Sequence, residues 1–230
     1  MSKLVPIFIE ATTLDDAWHQ CLFNLFDYGR KYIIDDGSYK GSTRLEFDYV
    51  TIHIKTPWAE PRLPQIPTQL NIPAPCDEQY VVNYFNRYII GSEVTENETY
   101  TYGSRLTVVK DAYDRTFNQI EEIITRIKQH GEGNNQLVLQ VAQPSDLWLS
   151  DPPCLRHIDV RLKNGTLHFF PYFRSWDLWG GFPANLAAIQ LLKEYMVSQI
   201  DCIDGEIIVA SKGLHIYKHV EELAKLRAYK

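Results

Sequence analysis

The chain has 230 residues, 45% hydrophobic and 13% aromatic, with a formal net charge of -6. That length can bury a substantial core, and the composition excludes an intrinsically disordered chain. The acidic balance argues against DNA or RNA as a partner, because phosphate contacts need clustered Lys and Arg, and no run reaches the ~18 apolar residues of a membrane span.

The opening residues, Met1 to Ile7, lack the apolar core and cleavage site of an export signal, so a cytoplasmic protein is expected. Apolar residues at Leu14, Ala17, Cys21, Leu22 and Leu25 predict a helix from Leu14 to Tyr28. Asp35-Asp36-Gly37-Ser38 and Lys40-Gly41-Ser42 are turn signals. Alternation of Tyr49, Thr51 and His53 with Val50, Ile52 and Ile54 predicts a strand. Six prolines between Pro57 and Pro75 prevent regular structure there. A helix is expected over Tyr80 to Ile90, and a polar loop at Glu96 to Thr99 leads into Tyr102-Gly103.

Phe117, Ile120, Ile124 and Ile127 mark one face of a helix from Phe117 to His130, which Gly131-Glu132-Gly133 stops. Leu137 to Val141 reads as a buried strand. Asn164-Gly165 is a hairpin turn between strands at Ile158 to Leu162 and Thr166 to Phe173. Pro171 predicts that the second of these is an edge strand or carries a bulge. A helix over Leu186 to Gln199, a strand over Glu206 to Ala210 and a helix over Val220 to Arg227 complete the pattern. Hairpins mixed with helix–strand alternation imply one α+β domain, residues 1–230, around a mixed sheet.

Cys21, Cys76, Cys154 and Cys202 stand far apart with no zinc spacing, so reduced thiols and no metal site are expected. Cys154 follows Pro152-Pro153, and Arg174-Ser175-Trp176-Asp177 and Gly180-Gly181 come some twenty residues later. A thiol beside a cation can act as a nucleophile; it can equally be a small buried hydrophobe. Arg174 can serve that thiol or form a surface ion pair with Asp177. Asn185 can be a helix N-cap, and Asp177 a turn cap. His215 and Tyr217, two apart on a strand, would share a face and pack there.

Four elements in order resemble the thymidylate synthase and pyrimidine-nucleotide hydroxymethylase family. They are Pro153-Cys154, the Arg-Ser-x-Asp of Arg174 to Asp177, the Gly-x-Pro-x-Asn of Gly181 to Asn185, and His215-Ile216-Tyr217. Tyr102-Gly103 resembles the family's Tyr-Gly element, and the wording from Trp176 to Gly181 is similar to its compact archaeal branch. The resemblance is clear over roughly the last 80 residues and weaker over most of the chain.

It implies an α/β (α+β) fold, a mixed sheet flanked by helices, and a homodimer joined through sheet faces. It implies reductive methylation of dUMP to dTMP with 5,10-methylenetetrahydrofolate or a tetrahydromethanopterin analogue. Cys154 would add to C6 of the pyrimidine; Arg174 and Ser175 would hold the phosphate of the nucleoside monophosphate, and Arg174 the thiolate. Asn185 would face the uracil edge, where family members acting on cytosine tend to carry Asp. His215 and Tyr217 would take the sugar hydroxyl, Asp177 and Gly181 the reduced folate, and Tyr102 would assist removal of the C5 proton. Alternatives are 5-hydroxymethylation of a pyrimidine nucleotide and a non-catalytic nucleotide- or RNA-binding relative.

Departures from the family pattern are Leu155 where a His is usual, Phe173 in place of Gln, and Asn134-Asn135 in place of the paired arginines lent by the dimer partner. Lys40 and Arg44, in a polar loop, are candidate substitutes. Glu78 is the candidate for the family's general base, with a helix-start carboxylate as the alternative. The sequence ends thirteen residues after Tyr217, without the tail that closes over folate in larger homologues, which leaves methylation and hydroxymethylation both open.

Overall fold

The first helix shows how local chemistry sets the elements. Thr13, in extended backbone, accepts the Asp16 N–H on its side chain, and Leu14, Ala17, Trp18, Cys21, Leu22 and Leu25 are buried behind it. Loss of such a cap costs about 1 kcal/mol. The structure is a computed structural model that describes residues 3–35 and 39–230; Asp36, Gly37 and Ser38 of the first expected turn lie outside the described residues.

In chain order the elements are β1 (Pro6–Ala11), α1 (Leu14–Tyr28), β2 (Arg30–Ile33), β3 (Thr43–Glu46), β4 (Tyr49–Ile54), α2 (Glu78–Tyr84), α3 (Tyr102–Thr107), β5 (Val109–Lys110), β6 (Thr116–Phe117) and α4 (Gln119–His130). Then follow β7 (Val138–Gln140), β8 (Leu155–Lys163), β9 (Thr166–Phe173), β10 (Trp176–Asp177), α5 (Gly181–Ile200), β11 (Ile203–Ser211), β12 (Leu214–Tyr217) and α6 (Glu221–Ala228). A six-stranded sheet runs β1-β4-β11-β9-β8-β7, a four-stranded one β10-β12-β3-β2, and β5-β6 form a ribbon. The large sheet is mixed: β1 with β4 and β11 with β9 are parallel, and the remaining pairs antiparallel.

Alternation splits the large sheet cleanly. Ile9, Ile52, Ile54, Ile207, Val209, Phe169 and Ile158 are buried on one face, and α1, α4 and α5 pack into the same core. Helix α5 buries residues around most of its circumference, from Phe182 to Met196, as expected of a helix wedged between layers. On the opposite face Thr51, Phe170, Tyr172 and Ile208 are half-buried, while Phe8 and Tyr49 are exposed.

Several expectations change in detail. β9 lies inside the sheet, between β11 and β8, so the edge-strand reading of Pro171 is wrong. The expected bulge falls on the partner strand instead: the β8–β9 register shifts between Leu155 and His157, leaving Arg156 of β8 as the extra residue, near Pro171. Asn164 and Gly165 both adopt positive φ, 52° and 71°, as a two-residue hairpin requires. Phe117 belongs to β6 and is exposed, because Asn118 caps α4 and starts it at Gln119. The expected helix at Tyr80 to Ile90 starts at Glu78 and changes to a π-helical turn over Phe85–Ile89. Helix α5 begins five residues earlier than Leu186. Arg44 is a residue of β3, not of a loop.

Candidate functional site

The β8–β9 hairpin is what brings Cys154 and Arg174 together. Cys154 precedes β8 and Arg174 follows β9, and the ladder continues past both with an Arg174 N–H bond to the Cys154 carbonyl at 2.8 Å. The guanidinium then turns onto the carbonyls of the two prolines, Nε to Pro153 at 3.2 Å and Nη2 to Pro152 at 2.5 Å. Its ion-pair neighbour is Asp151 at 3.6 Å, so the alternative pairing with Asp177 does not form. The bulge directs Arg156 to the same segment, where Nη1 donates to the Pro153 carbonyl at 3.2 Å and faces Asp146 at 3.5 Å.

Burial pushes the Cys154 thiol above its ordinary range; Arg174 and Arg156 pull it down, and Asp151 and Asp177 push it up again. Desolvation therefore outweighs the cations, and Arg174 alone does not hold a thiolate here. Next to the thiol, the Leu155 N–H donates to the Tyr102 hydroxyl at 3.3 Å. Burial raises the Tyr102 phenol as well, with Cys154 adding to the effect, which keeps Tyr102 neutral.

Strand β10 pairs with β12 and sets Asp177 beside His215. The Asp177 carboxylate accepts the N–H groups of Trp179 at 3.0 Å and Gly180 at 3.2 Å, the turn-capping geometry weighed from the sequence. At Gly181 a Cβ would sit 3.4 Å from Asp177 Cβ and 3.6 Å from Asn185 Oδ1, so the missing side chain leaves the space between those two groups open. Ser175, between Arg174 and Trp176, is half-buried.

His215 is buried, and its Nδ1 lies 2.8 Å from the Gly213 carbonyl. A carbonyl only accepts, so Nδ1 carries the proton and Nε2 offers a lone pair. Burial lowers His215, keeping it neutral, and Nε2 has no hydrogen-bond partner among the described residues. Tyr217, on the same face, meets the His215 ring edge-on at 4.6 Å. It is pushed up to about 12, mainly by burial and then by Asp177 and Cys154.

Asn185 is not an N-cap, since Gly180 holds that position. Its Oδ1 accepts from Trp176 Nε1 at 2.9 Å, and its Nδ2 donates to the Tyr84 hydroxyl at 2.8 Å. One lone pair and one N–H remain for a ligand. Tyr84 and Tyr102 line a cleft of about 420 Å³ with Tyr88, Tyr100 and Asp151.

Arg44 aside, the other candidates sit elsewhere. Glu78 is exposed at the start of α2, capped by Asp77. Asn134 and Asn135 share a surface recess with Arg126 and His130, and Lys40 is exposed. Arg44 pairs with Glu46 at 2.5 Å and lies opposite Tyr217 in the β12–β3 ladder. Tyr84, Trp176 and Arg156 were not singled out from the sequence. Tyr80, Tyr84 and Tyr88 do recur every fourth residue, which is the signal that marks one helix face.

A family model described as Thymidylate synthase matches residues 78–228, a span that holds Tyr84, Tyr102 and every site residue from Cys154 to Tyr217. The chain belongs to the thymidylate synthase family. Among its relatives is a protein of Methanosarcina barkeri named "Putative thymidylate synthase", 30% identical over 221 residues and 94% of both chains. A Methanothermobacter thermautotrophicus protein of the same name is 24% identical over 94% of this chain and 98% of its own. The thymidylate synthase of Enterobacteria phage T4 is 32% identical over 111 residues, 47% of this chain and 38% of that protein. The solved structure of thermostable thymidylate synthase A from Bacillus subtilis superposes with a TM-score of 0.72 at 14% identity, covering 95% of this chain and 85% of that one. This last likeness bears on the fold alone, and agrees with the mixed α/β architecture. No described helix is long and apolar enough to cross a membrane.

Proposed function

We propose that the protein is a cytoplasmic one-carbon transferase that converts dUMP to dTMP with 5,10-methylenetetrahydrofolate or a related reduced pterin. The observation that carries this reading is the meeting of Cys154, Arg174, Asp177, His215 and Tyr217, at the ends of β8, β9, β10 and β12, with Asn185 of α5.

In this reading the Cys154 sulfur, as thiolate, bonds to C6 of the uracil ring, and the electron pair of the C5–C6 bond moves toward C5 and O4. Covalent addition divides one difficult substitution into easier steps. Arg174 and Arg156 stabilise the thiolate that burial disfavours. Arg174, with Ser175, also meets the 5′-phosphate by charge-assisted hydrogen bonds. The spare lone pair of Asn185 accepts N3–H and its spare N–H donates to O4. His215 Nε2 accepts the sugar hydroxyl proton, and Tyr217 borders the same hydroxyl. Tyr102 holds the backbone beside the nucleophile and hydrogen-bonds the water that takes the C5 proton.

The residues at the other side of the site fit a pterin. Asp177 is an acceptor suited to a ring edge of N–H donors, and Gly181 leaves the space beside it unfilled. When bound, the reduced folate supplies the one-carbon unit and the hydride. We also propose a homodimer through the large sheet, supported by Phe8, Tyr49, Phe170, Tyr172 and Ile208 on its open face.

Incubation with dUMP, UMP, dCMP or CMP plus methylenetetrahydrofolate, with products identified by mass, tests the reaction. dTMP with dihydrofolate is the expected pair. A hydroxymethyl nucleotide with tetrahydrofolate replaces methylation by hydroxymethylation. No product and no exchange of the C5 proton on any nucleotide overturns catalysis.

A further inference from the structure

An asparagine cannot by itself choose between uracil and cytosine. Uracil presents an N3–H donor and an O4 acceptor; cytosine presents an N3 acceptor and an N4 amino donor. Rotating a carboxamide by half a turn exchanges its oxygen and its NH2, so a free Asn185 would match either base. Discrimination therefore needs something that prevents the rotation.

Building on the uracil-nucleotide reading above, we infer that Trp176 clamps the Asn185 carboxamide in one orientation while Tyr84 braces it, making Trp176 a positioning residue for pyrimidine choice. The indole N–H of Trp176 can only donate, so the group 2.9 Å from it must be Oδ1. Rotation would set that N–H against the Asn185 NH2, two donors facing each other in a buried place. Trp176 is itself held between Phe173, at 4.0 Å and 1° between planes, and Phe182 at 4.5 Å. It cannot swing away without unstacking both.

Tyr84, whose hydroxyl can also donate and so leaves the choice of orientation to Trp176, braces the other side by accepting from Nδ2 at 2.8 Å. Its place is fixed by a ladder of rings, with Tyr80 at 6.3 Å and Tyr88 at 5.3 Å, both nearly parallel to it. The ladder runs from α2 into the π-helical turn at Phe85–Ile89. After both clamp bonds are made, the remaining lone pair and N–H of Asn185 present the pattern that complements uracil. Cytosine would meet an acceptor with its own acceptor. The clamp thus selects chiefly by rejecting the wrong base.

The test measures dissociation constants of dUMP and dCMP by calorimetry for the wild type, Tyr84→Phe and Trp176→Phe. The first variant keeps the ring ladder and loses only the hydroxyl; the second keeps an aromatic plane and loses the indole N–H. The wild type is expected to prefer dUMP. Trp176→Phe should reduce the dUMP-to-dCMP preference about tenfold, the worth of one buried hydrogen bond, whereas Tyr84→Phe, which loses a partner able to serve either orientation, should weaken both nucleotides in proportion. An unchanged ratio in Trp176→Phe means a purely structural role and overturns the clamp while leaving the proposed function standing. A wild type that binds neither nucleotide overturns both. If Trp176→Phe fails to fold, Trp176→Tyr, which also keeps an aromatic plane without the indole N–H, is read in the same way.

Discussion

Helix α5 carries two polar clusters separated by eight residues, about 12 Å along its axis, and the contrast between them is informative. Near its start, Asn185 is held on two sides but keeps one lone pair and one N–H that those bonds leave unused. Two turns on, Lys193 is fully buried, its Nζ 2.9 Å from Asp204 and bonded to the Gly205 carbonyl. Gln190 donates to Asp204 at 2.6 Å and to Glu194 at 3.0 Å, and Arg62 meets Glu194 at 3.0 Å. Charges there find counter-charges in the chain itself. Burial still pulls Lys193 down to about 8 despite Asp204, so this network holds its charge against desolvation. The cluster at Lys193 ties helix to sheet, whereas the cluster at Asn185 belongs to the proposed nucleotide site.

The most severe way to break that comparison is to remove the nucleophile. Cys154→Ser is expected to lower turnover at least about 10³-fold while the dissociation constant for dUMP changes little, because phosphate, sugar and base contacts remain. Product mass and calorimetry on the same preparation read the two quantities. Wild-type turnover in the variant would sink the assignment of Cys154.

Two opposite substitutions then sharpen the contrast. Asp204→Asn removes the nearest counter-charge of the buried Lys193 ammonium, at a cost of about 3 kcal/mol, or roughly 6–12 °C in Tm for a chain of this size. Base selectivity should not move. Asn185→Asp reverses the outcome: Trp176 still donates to a carboxylate oxygen, and the Tyr84 hydroxyl can turn and donate to the other. Thermal stability should therefore hold nearly constant while preference moves toward dCMP by roughly 10- to 100-fold. If Asp204→Asn altered selectivity, or Asn185→Asp chiefly lowered Tm, the division of labour along α5 would be wrong.

The two clusters also differ in how far they could be read from sequence. The strand at Tyr49–Ile54 and the helix at Leu14–Tyr28 follow from periodicity, because a buried face imposes its period on the chain. Cys154, Arg174, Asn185 and His215 stood out because their motifs keep short, fixed spacings. Tyr84 did not, since its partner Asn185 is 101 residues away and only the fold joins them. Arg156 was hidden for another reason: it faces the Pro153 carbonyl through a bulge, and a one-residue register shift leaves no mark in the hydrophobic pattern. Pro171 pointed to an edge or a bulge in β9, whereas β9 is internal and the extra residue stands on β8. The Lys193 network was invisible because a lysine in a helix is ordinarily a surface residue.

The smallest expected effect concerns the balance at the thiol. Iodoacetamide reacts with the thiolate, so its rate at Cys154 follows the thiolate fraction. Burial holds that thiol above the ordinary range while Arg174 and Arg156 oppose it. In the free protein, alkylation of the Cys154 peptide, followed by mass, should be slower at pH 8 than for an exposed cysteine. It should keep rising with pH beyond the point where ordinary thiols level off. Arg174→Leu removes the leading opposing charge, so the rise moves to higher pH and the rate at pH 8 falls severalfold. An unchanged profile would mean that the guanidinium is spent on the Pro152 and Pro153 carbonyls and contributes nothing to the thiolate. Arg174 would then be a brace for the loop, and the cluster at Cys154 would resemble the one at Lys193 more closely than the open valences of Asn185 and His215 suggest.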